Sequence, residues 1–204
     1  MKENYYLLFE NQLNRIKEKG KVPTILLHSC CAPCSSHVIT FLKEYFDITI
    51  IYYNPNIYPY EEYKKRKEEQ IRLLNEIKSK NKLNIIDCDY DNNIYEKTIK
   101  GLEKEKEGGS RCYKCFWLRL DKTAQIAKEN NYDYFSTTLT ISPYKNSTVI
   151  NEIGKKLETI YNITWLYSDY KKKDGYKKSI QLSKEYNLYR QNYCGCIYSK
   201  RIDN

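Results

Sequence analysis

Long apolar runs are missing from this sequence. None approaches the roughly 18 residues a membrane-spanning helix needs. The opening MKENYYLLFE carries charges on both sides of a very short apolar patch, which is not the layout of a secretory signal. The expectation is a soluble, cytoplasmic protein with no membrane partner. Glycine and proline are scarce, at 7 and 5 of 204 residues, which argues against long disordered linkers. No internal repeat or low-complexity tract interrupts the chain, and its length suits one hydrophobic core better than two. Residues 1–204 are therefore expected to form one domain. Histidine is scarcer still, with only His28 and His37 present. A Ser–His or Cys–His hydrolase has little support from two histidines, and the absence of GxGxxG and of GxxxxGK(S/T) removes the dinucleotide fingerprint and the Walker loop.

What is present is a soluble composition, 41% hydrophobic and 30% charged, with a formal net charge of +9. Part of that charge sits in KKRK (64–67) and KKKDGYKK (171–178). A basic surface favours polyanions through counterion release, although a lysine-rich helix is as often a plain solvated face. The 22 tyrosines tilt the reading towards nucleic acid, because rings among cations stack on unpaired bases; many of them must nevertheless be core filler.

Short apolar runs alternate with longer amphipathic ones. Strands are expected over 23–29, 47–53, 83–88, 132–139 and 163–168. Helices are expected over 34–46 (capped by Ser35 or Ser36), 59–79, 92–107, 112–130, 147–161 and 176–188. The alternation implies right-handed crossovers and an open, mostly parallel α/β sheet with helices on both faces. Such sheets bind ligands outside the carboxyl ends of their strands. The unusual polar segments HSCCAPCSS, YNPNIYPYEEY, DCDYD, TTLTISPYK and YSDYKKKDG all fall just past expected strand ends.

Eight cysteines in such a chain are more often metal ligands or redox groups than a disulfide framework. Cys112-Tyr-Lys-Cys115 brings two thiolates to one centre from a single turn, and serves zinc, iron–sulfur clusters and thiol redox equally well. If it opens a helix, the free amides and dipole stabilise the thiolates. Adjacent Cys30 and Cys31 suit separate irons of one cube better than one tetrahedral zinc. With Cys112 and Cys115 they make the four thiolates of a [4Fe-4S] cluster, with zinc and unliganded thiols as the alternatives. Cys34 is left as a catalytic thiol, a ligand to a further metal, or a small residue at a helix start. Cys194-Gly195-Cys196 forms either a strained, easily reduced disulfide or two ordinary thiols. Cys88 reads as core filler. His28, beside the cysteine pair, is a candidate proton donor or a hydrogen-bond partner to sulfur. His37 reads as structural.

LHSCCAPCSS, YNPNIYPYEEYKKR, RCYKCFWLRL, TTLTISPYKN and YRQNYCGC, in that order over roughly residues 25–198, closely resemble the QueH-type epoxyqueuosine reductases. The resemblance implies a Rossmann-like sheet of the nucleotide-binding superfamily that includes the ATP pyrophosphatases, with a cysteine-bearing helical insert and tail. It implies reductive deoxygenation of epoxyqueuosine to queuosine at the wobble position of tRNA. It puts cluster ligands at Cys30, Cys31, Cys112 and Cys115, and a redox-active disulfide at Cys194 and Cys196. An additional iron is associated with the family, and its ligands are expected at Cys34 and an acidic residue such as Asp89. Partners implied are the tRNA anticodon stem-loop and an electron donor that the sequence does not name. Tyr144, Lys145, Arg119 and Arg190 are candidates for contacting the anticodon backbone or polarising the substrate. The competing readings are a zinc-stabilised tRNA-binding module without redox activity, and a metal-free dithiol oxidoreductase using Cys112 and Cys115.

Overall fold

A computed structural model describes residues 3–200. The one-domain expectation also takes in residues 1–2 and 201–204, which lie outside them. Five parallel strands make a single sheet in the order β3-β2-β1-β4-β5: β1 (Thr24–His28), β2 (Asp47–Tyr52), β3 (Leu83–Asp87), β4 (Tyr134–Thr137) and β5 (Thr164–Trp165). β1 is central, pairing in register with β2 (Leu26 opposite Thr49) and with β4 (Leu26 opposite Phe135). Strands buried on both sides read as continuous apolar runs, and alternate side chains of β1 serve opposite cores. Ile25 and Leu27 join Phe9, Val38, Leu42 and Leu73 on one face, while Leu26 joins Leu120, Phe135, Ile153 and Trp165 on the other.

Helices cover both faces, as expected. α2 (Ala32–Leu42), α3 (Tyr60–Glu76) and α7 (Gly175–Glu185) flank the first core; α5 (Ser110–Glu129) and α6 (Ser147–Tyr161) flank the second. α1 (Tyr5–Glu18) adds a helix that the alternating pattern does not announce. Its buried Tyr5, Phe9, Leu13 and Ile16 recur every three or four residues, so a helical stripe was there to read.

Four expected elements differ. Of the strand expected over 163–168 only Thr164–Trp165 pairs. The helix expected over 92–107 stops early, as α4 (Asn92–Ile99), because Gly101 takes φ +83°, a left-handed turn that ends helical pairing. The strand expected to reach residue 139 ends at Thr137, whose hydroxyl accepts the Leu139 N–H and starts a 3-10 turn over Thr138–Ile141. α2 begins at Ala32 with Pro33 in its first turn, so Cys31 occupies the N-cap. Ser35 and Ser36 are inside the helix and donate back to the Ala32 and Pro33 carbonyls; neither caps it.

Candidate metal centre

The β1–α2 turn carries Ser29, Cys30 and Cys31 past the carboxyl end of the central strand. Buried side chains from neighbouring elements fix this turn. Gln70 of α3 accepts from the Ser29 hydroxyl at 2.8 Å and from the Ser35 hydroxyl at 2.7 Å. Asn54, just past β2, donates to the Ser29 carbonyl at 2.8 Å. The Cys30, Cys31 and Cys34 sulfur atoms all lie within 4.8 Å of one another, a spacing that could hold a metal ion. Cys30 donates to Cys31 across 3.9 Å. Thiol donation from Cys30 and Cys34 pulls the Cys31 pKa well down despite its burial, with Arg66 adding to the effect; the Cys34 thiol is pushed up by the same contacts and by burial. Cys31 is thus the anionic focus of the trio, at a helix start where a negative charge is favoured.

Cys112 and Cys115 lie in the first turns of α5, as the spacing predicts. The Gly108 N–H donates to Cys112 Sγ at 3.2 Å. Burial outweighs that help: it raises the Cys112 pKa and pushes Cys115 up to about 12. The expected help from the helix start is present in the Gly108 amide but is smaller than the cost of burial, so a bound metal would have to displace the thiol protons. Cys194 and Cys196, on the irregular tail, raise both pKa values further, and Cys115 and Cys196 share one small buried cluster with Tyr95 and Ile99.

Two adjoining cavities connect these groups. The outer, about 110 Å³, is lined by Cys30, Cys34, Lys145, Arg190 and Cys194. The inner, about 30 Å³, is lined by Cys112, Cys115, Arg119, Lys145, Cys194 and Cys196. Tyr144 lines both and is 68% exposed. All eight cysteines are free thiols, including Cys194 and Cys196. The structure brings Cys34 fully into the trio. It leaves Asp89 exposed beyond β3, next to Cys88 and outside the converging ligand atoms.

Other expectations change. His28 is fully buried, its Nδ1 3.0 Å from the Thr137 hydroxyl and its Nε2 3.2 Å from the Tyr53 carbonyl. Burial pushes its pKa down to about 3, and both ring nitrogens are engaged by Thr137 and Tyr53 and not by sulfur. Arg119 is 1% exposed and cannot reach an RNA backbone. The basic runs are less free than they look. Arg66 is buried on Glu62, Lys65 covers the Tyr189 ring at 3.6 Å, Lys67 pairs with Asp87, and Lys171 donates to the Thr140 and Lys145 carbonyls. Arg190 is exposed and lines the outer cavity. Gln70, Asn54 and Arg66 went unnoticed in the sequence. The signal for two of them was the spacing of Tyr63, Arg66, Gln70, Leu73 and Leu74, one buried helical face that includes two polar residues.

The fold and site define a class: a parallel-sheet α/β protein with a thiol-lined centre that could hold a metal at the carboxyl edge of its strands. Residues 25–202 match the family profile described as epoxyqueuosine reductase QueH. A curated protein of that name from Streptococcus pyogenes serotype M1 is 44% identical over 194 residues, covering 94% of this chain and 76% of the relative. Another, from Staphylococcus epidermidis, is 42% identical over 202 residues, covering 97% and 85%. A third, from Thermotoga maritima, is 37% identical over 179 residues, covering 86% and 90%. The chain belongs to the QueH epoxyqueuosine reductase family. No helix among the described residues is long and apolar enough to cross a membrane.

Proposed function

We propose that this protein reduces epoxyqueuosine in tRNA to queuosine, with Cys30, Cys31, Cys112 and Cys115 holding a [4Fe-4S] cluster and Cys194 and Cys196 acting as a redox-active dithiol. The observation that supports this most directly is the position of Cys194, on the wall shared by the cavity that holds Cys30 and Cys34 and the cavity that holds Cys112 and Cys115.

In the reaction two C–O bonds of the epoxide break and one C=C bond forms. Two electrons and two protons enter and water leaves. A bound cluster supplies single electrons at low potential. Oxidation of the Cys194 and Cys196 thiols to a disulfide releases two electrons and two protons, which balances the deoxygenation; an external electron donor then reopens the disulfide. Lys145 keeps a proton on Nζ in the same cavity wall. Burial opposes its charge, but Cys194, Cys30 and Cys34 hold its pKa above the ordinary lysine value. The cavity admits the modified base only after it leaves its stack, which an anticodon loop permits at modest cost. Exposed Tyr144 offers a ring for stacking at the cavity mouth, and Arg190 a cation for a phosphate.

The zinc-stabilised tRNA-binding reading has one observation in its favour: within the described residues only Cys30, Cys31 and Cys34 converge to ligand spacing. Three thiolates fall one short of a closed structural zinc site. Anaerobic reconstitution with iron and sulfide, followed by turnover on epoxyqueuosine-containing tRNA, tests the enzyme reading. A brown protein that forms queuosine is the expected result. Zinc binding with neither iron uptake nor turnover is the contrary one. Cys194→Ser is expected to abolish turnover and leave the visible absorption intact; full activity in that variant removes the dithiol from the mechanism.

A further inference from the structure

Two arginines sit against the thiol site, each 1% exposed, and they share an arrangement. Arg66 of α3 gives Nε to Glu62 at 2.7 Å and Nη1 to the Cys194 carbonyl at 3.0 Å. Arg119 of α5 gives Nε to the Cys115 carbonyl at 3.2 Å. In both, Nη2 is buried with no hydrogen-bond partner. A buried guanidinium N–H left without an acceptor is expensive and calls for an explanation. Glu62 accepts from Arg66 and from the Tyr189 hydroxyl, and no described salt bridge includes Arg119. Solvent and RNA phosphates do not reach either group. Sulfur stands beside both: Cys31 and Cys30 act on Arg66 together with the Glu62 carboxylate, and Cys115, Cys194 and Cys30 act on Arg119 together with Tyr95. The two cations therefore approach the thiols from two different segments, Arg66 from α3 and Arg119 from α5.

Resting on the metal reading above, we propose that Arg66 and Arg119 are positioning residues for a negatively charged metal–thiolate centre: each is anchored on the backbone carbonyl of a cysteine, keeps a free N–H for the anionic centre, and so raises the centre's reduction potential. A cube with four thiolate ligands carries net negative charge, and reduction adds one more. A fixed cation nearby stabilises the reduced form more than the oxidised form, most strongly where water is excluded. The Arg66 bond also holds the tail at Cys194, whereas the Arg119 bond fixes its own guanidinium on the helix that bears Cys115. Each tail residue also leans on Arg66: the Tyr193 ring lies 5.0 Å from its guanidinium carbon, and a Cβ on Gly195 would meet Nη1 at 3.2 Å.

The test is a potentiometric titration of the reconstituted full-length protein, followed by visible absorption and electron paramagnetic resonance. Arg119→Gln and Arg66→Gln remove the charge and retain a donor; Arg119→Met and Arg66→Met remove both and stand in where a Gln variant fails to fold, as judged by far-ultraviolet circular dichroism. Loaded neutral variants are expected to show a more negative midpoint potential than the wild type, and Arg66→Lys and Arg119→Lys, which keep the charge, to recover part of the shift. Neutral variants that load fully and keep the wild-type midpoint overturn the proposal while leaving the cluster itself in place. A wild-type chain that takes up no iron overturns the cluster reading first and this proposal with it.

Discussion

The two groups of cysteines are held in different ways. Cys30, Cys31 and Cys34 come from five consecutive residues of one strand-to-helix turn, braced by Gln70 and Asn54, and their sulfurs are within 4.8 Å of one another without help from anything else. Cys112 and Cys115 sit on a helix from the other face of the sheet, and face Cys194 and Cys196 on a tail with only a short 3-10 turn over Ile197–Ser199. That tail is held by side chains and single backbone contacts: the Tyr58 N–H to the Gly195 carbonyl at 2.9 Å, Arg66 to the Cys194 carbonyl, and the Gly195 N–H to the Ser199 hydroxyl at 3.3 Å. The first group is organised by local backbone, the second by packing between distant segments. The Cys31 pKa in the first group is pulled down by its thiol neighbours, whereas burial raises those of Cys112 and Cys115 in the second. A shared metal centre would use the first group as its foundation and draw in the second.

That contrast can be attacked from either side. Gly195→Ala strikes the packed group hardest, because φ is +131° and the new Cβ would meet Ile57 at 3.0 Å. Left-handed strain of about 1–3 kcal/mol is expected to displace Cys194, with turnover down at least about tenfold and the trio's spacing unaffected. Wild-type turnover would show that the tail tolerates displacement. Gln70→Ala strikes the local group. It leaves the Ser29 hydroxyl without its acceptor and the Ser35 hydroxyl with only the Ala32 carbonyl, at about 1–3 kcal/mol of stability in a thermal or urea melt, and loosens the turn that bears Cys30 and Cys31. Unchanged stability would mean that water or a neighbour replaces Gln70. Tyr144→Ala, at the rim common to both groups, is expected to weaken binding of the metal-free protein to an anticodon stem-loop by about 1–2 kcal/mol, with Tyr144→Phe near wild type. Equal binding by all three would place the RNA elsewhere. Lys67→Ala is the control, since its ion pair with half-exposed Asp87 should contribute under about 1 kcal/mol.

Much of this was legible beforehand because period and motif are local properties. The alternation of apolar and amphipathic runs gave the sheet, and helix α6 falls on 147–161 as expected, since Asn146 caps it and Asn162 takes the left-handed conformation that ends it. The CxxC pair opened a helix as its context suggested. What could not be read were properties of three-dimensional neighbours. Arg66 stands in a run of lysines and looks solvated, yet it is buried beside Cys31. His28 looks reactive next to two cysteines, yet Thr137 and the Tyr53 carbonyl occupy both ring nitrogens. Cys34, without a clear partner in the sequence, meets Cys30 and Cys31 because α2 starts two residues earlier than its serines suggest.

The central claim is that thiolates of the β1–α2 turn and of α5 hold one and the same centre. Iron and acid-labile sulfide per chain, measured after anaerobic reconstitution of the wild type, Cys31→Ser and Cys115→Ser, test it most directly. About four of each is expected in the wild type, with nearly complete loss in both variants. Retention of full metal content by Cys115→Ser, with loss only in Cys31→Ser, would leave the trio holding its metal alone and contradict a shared centre.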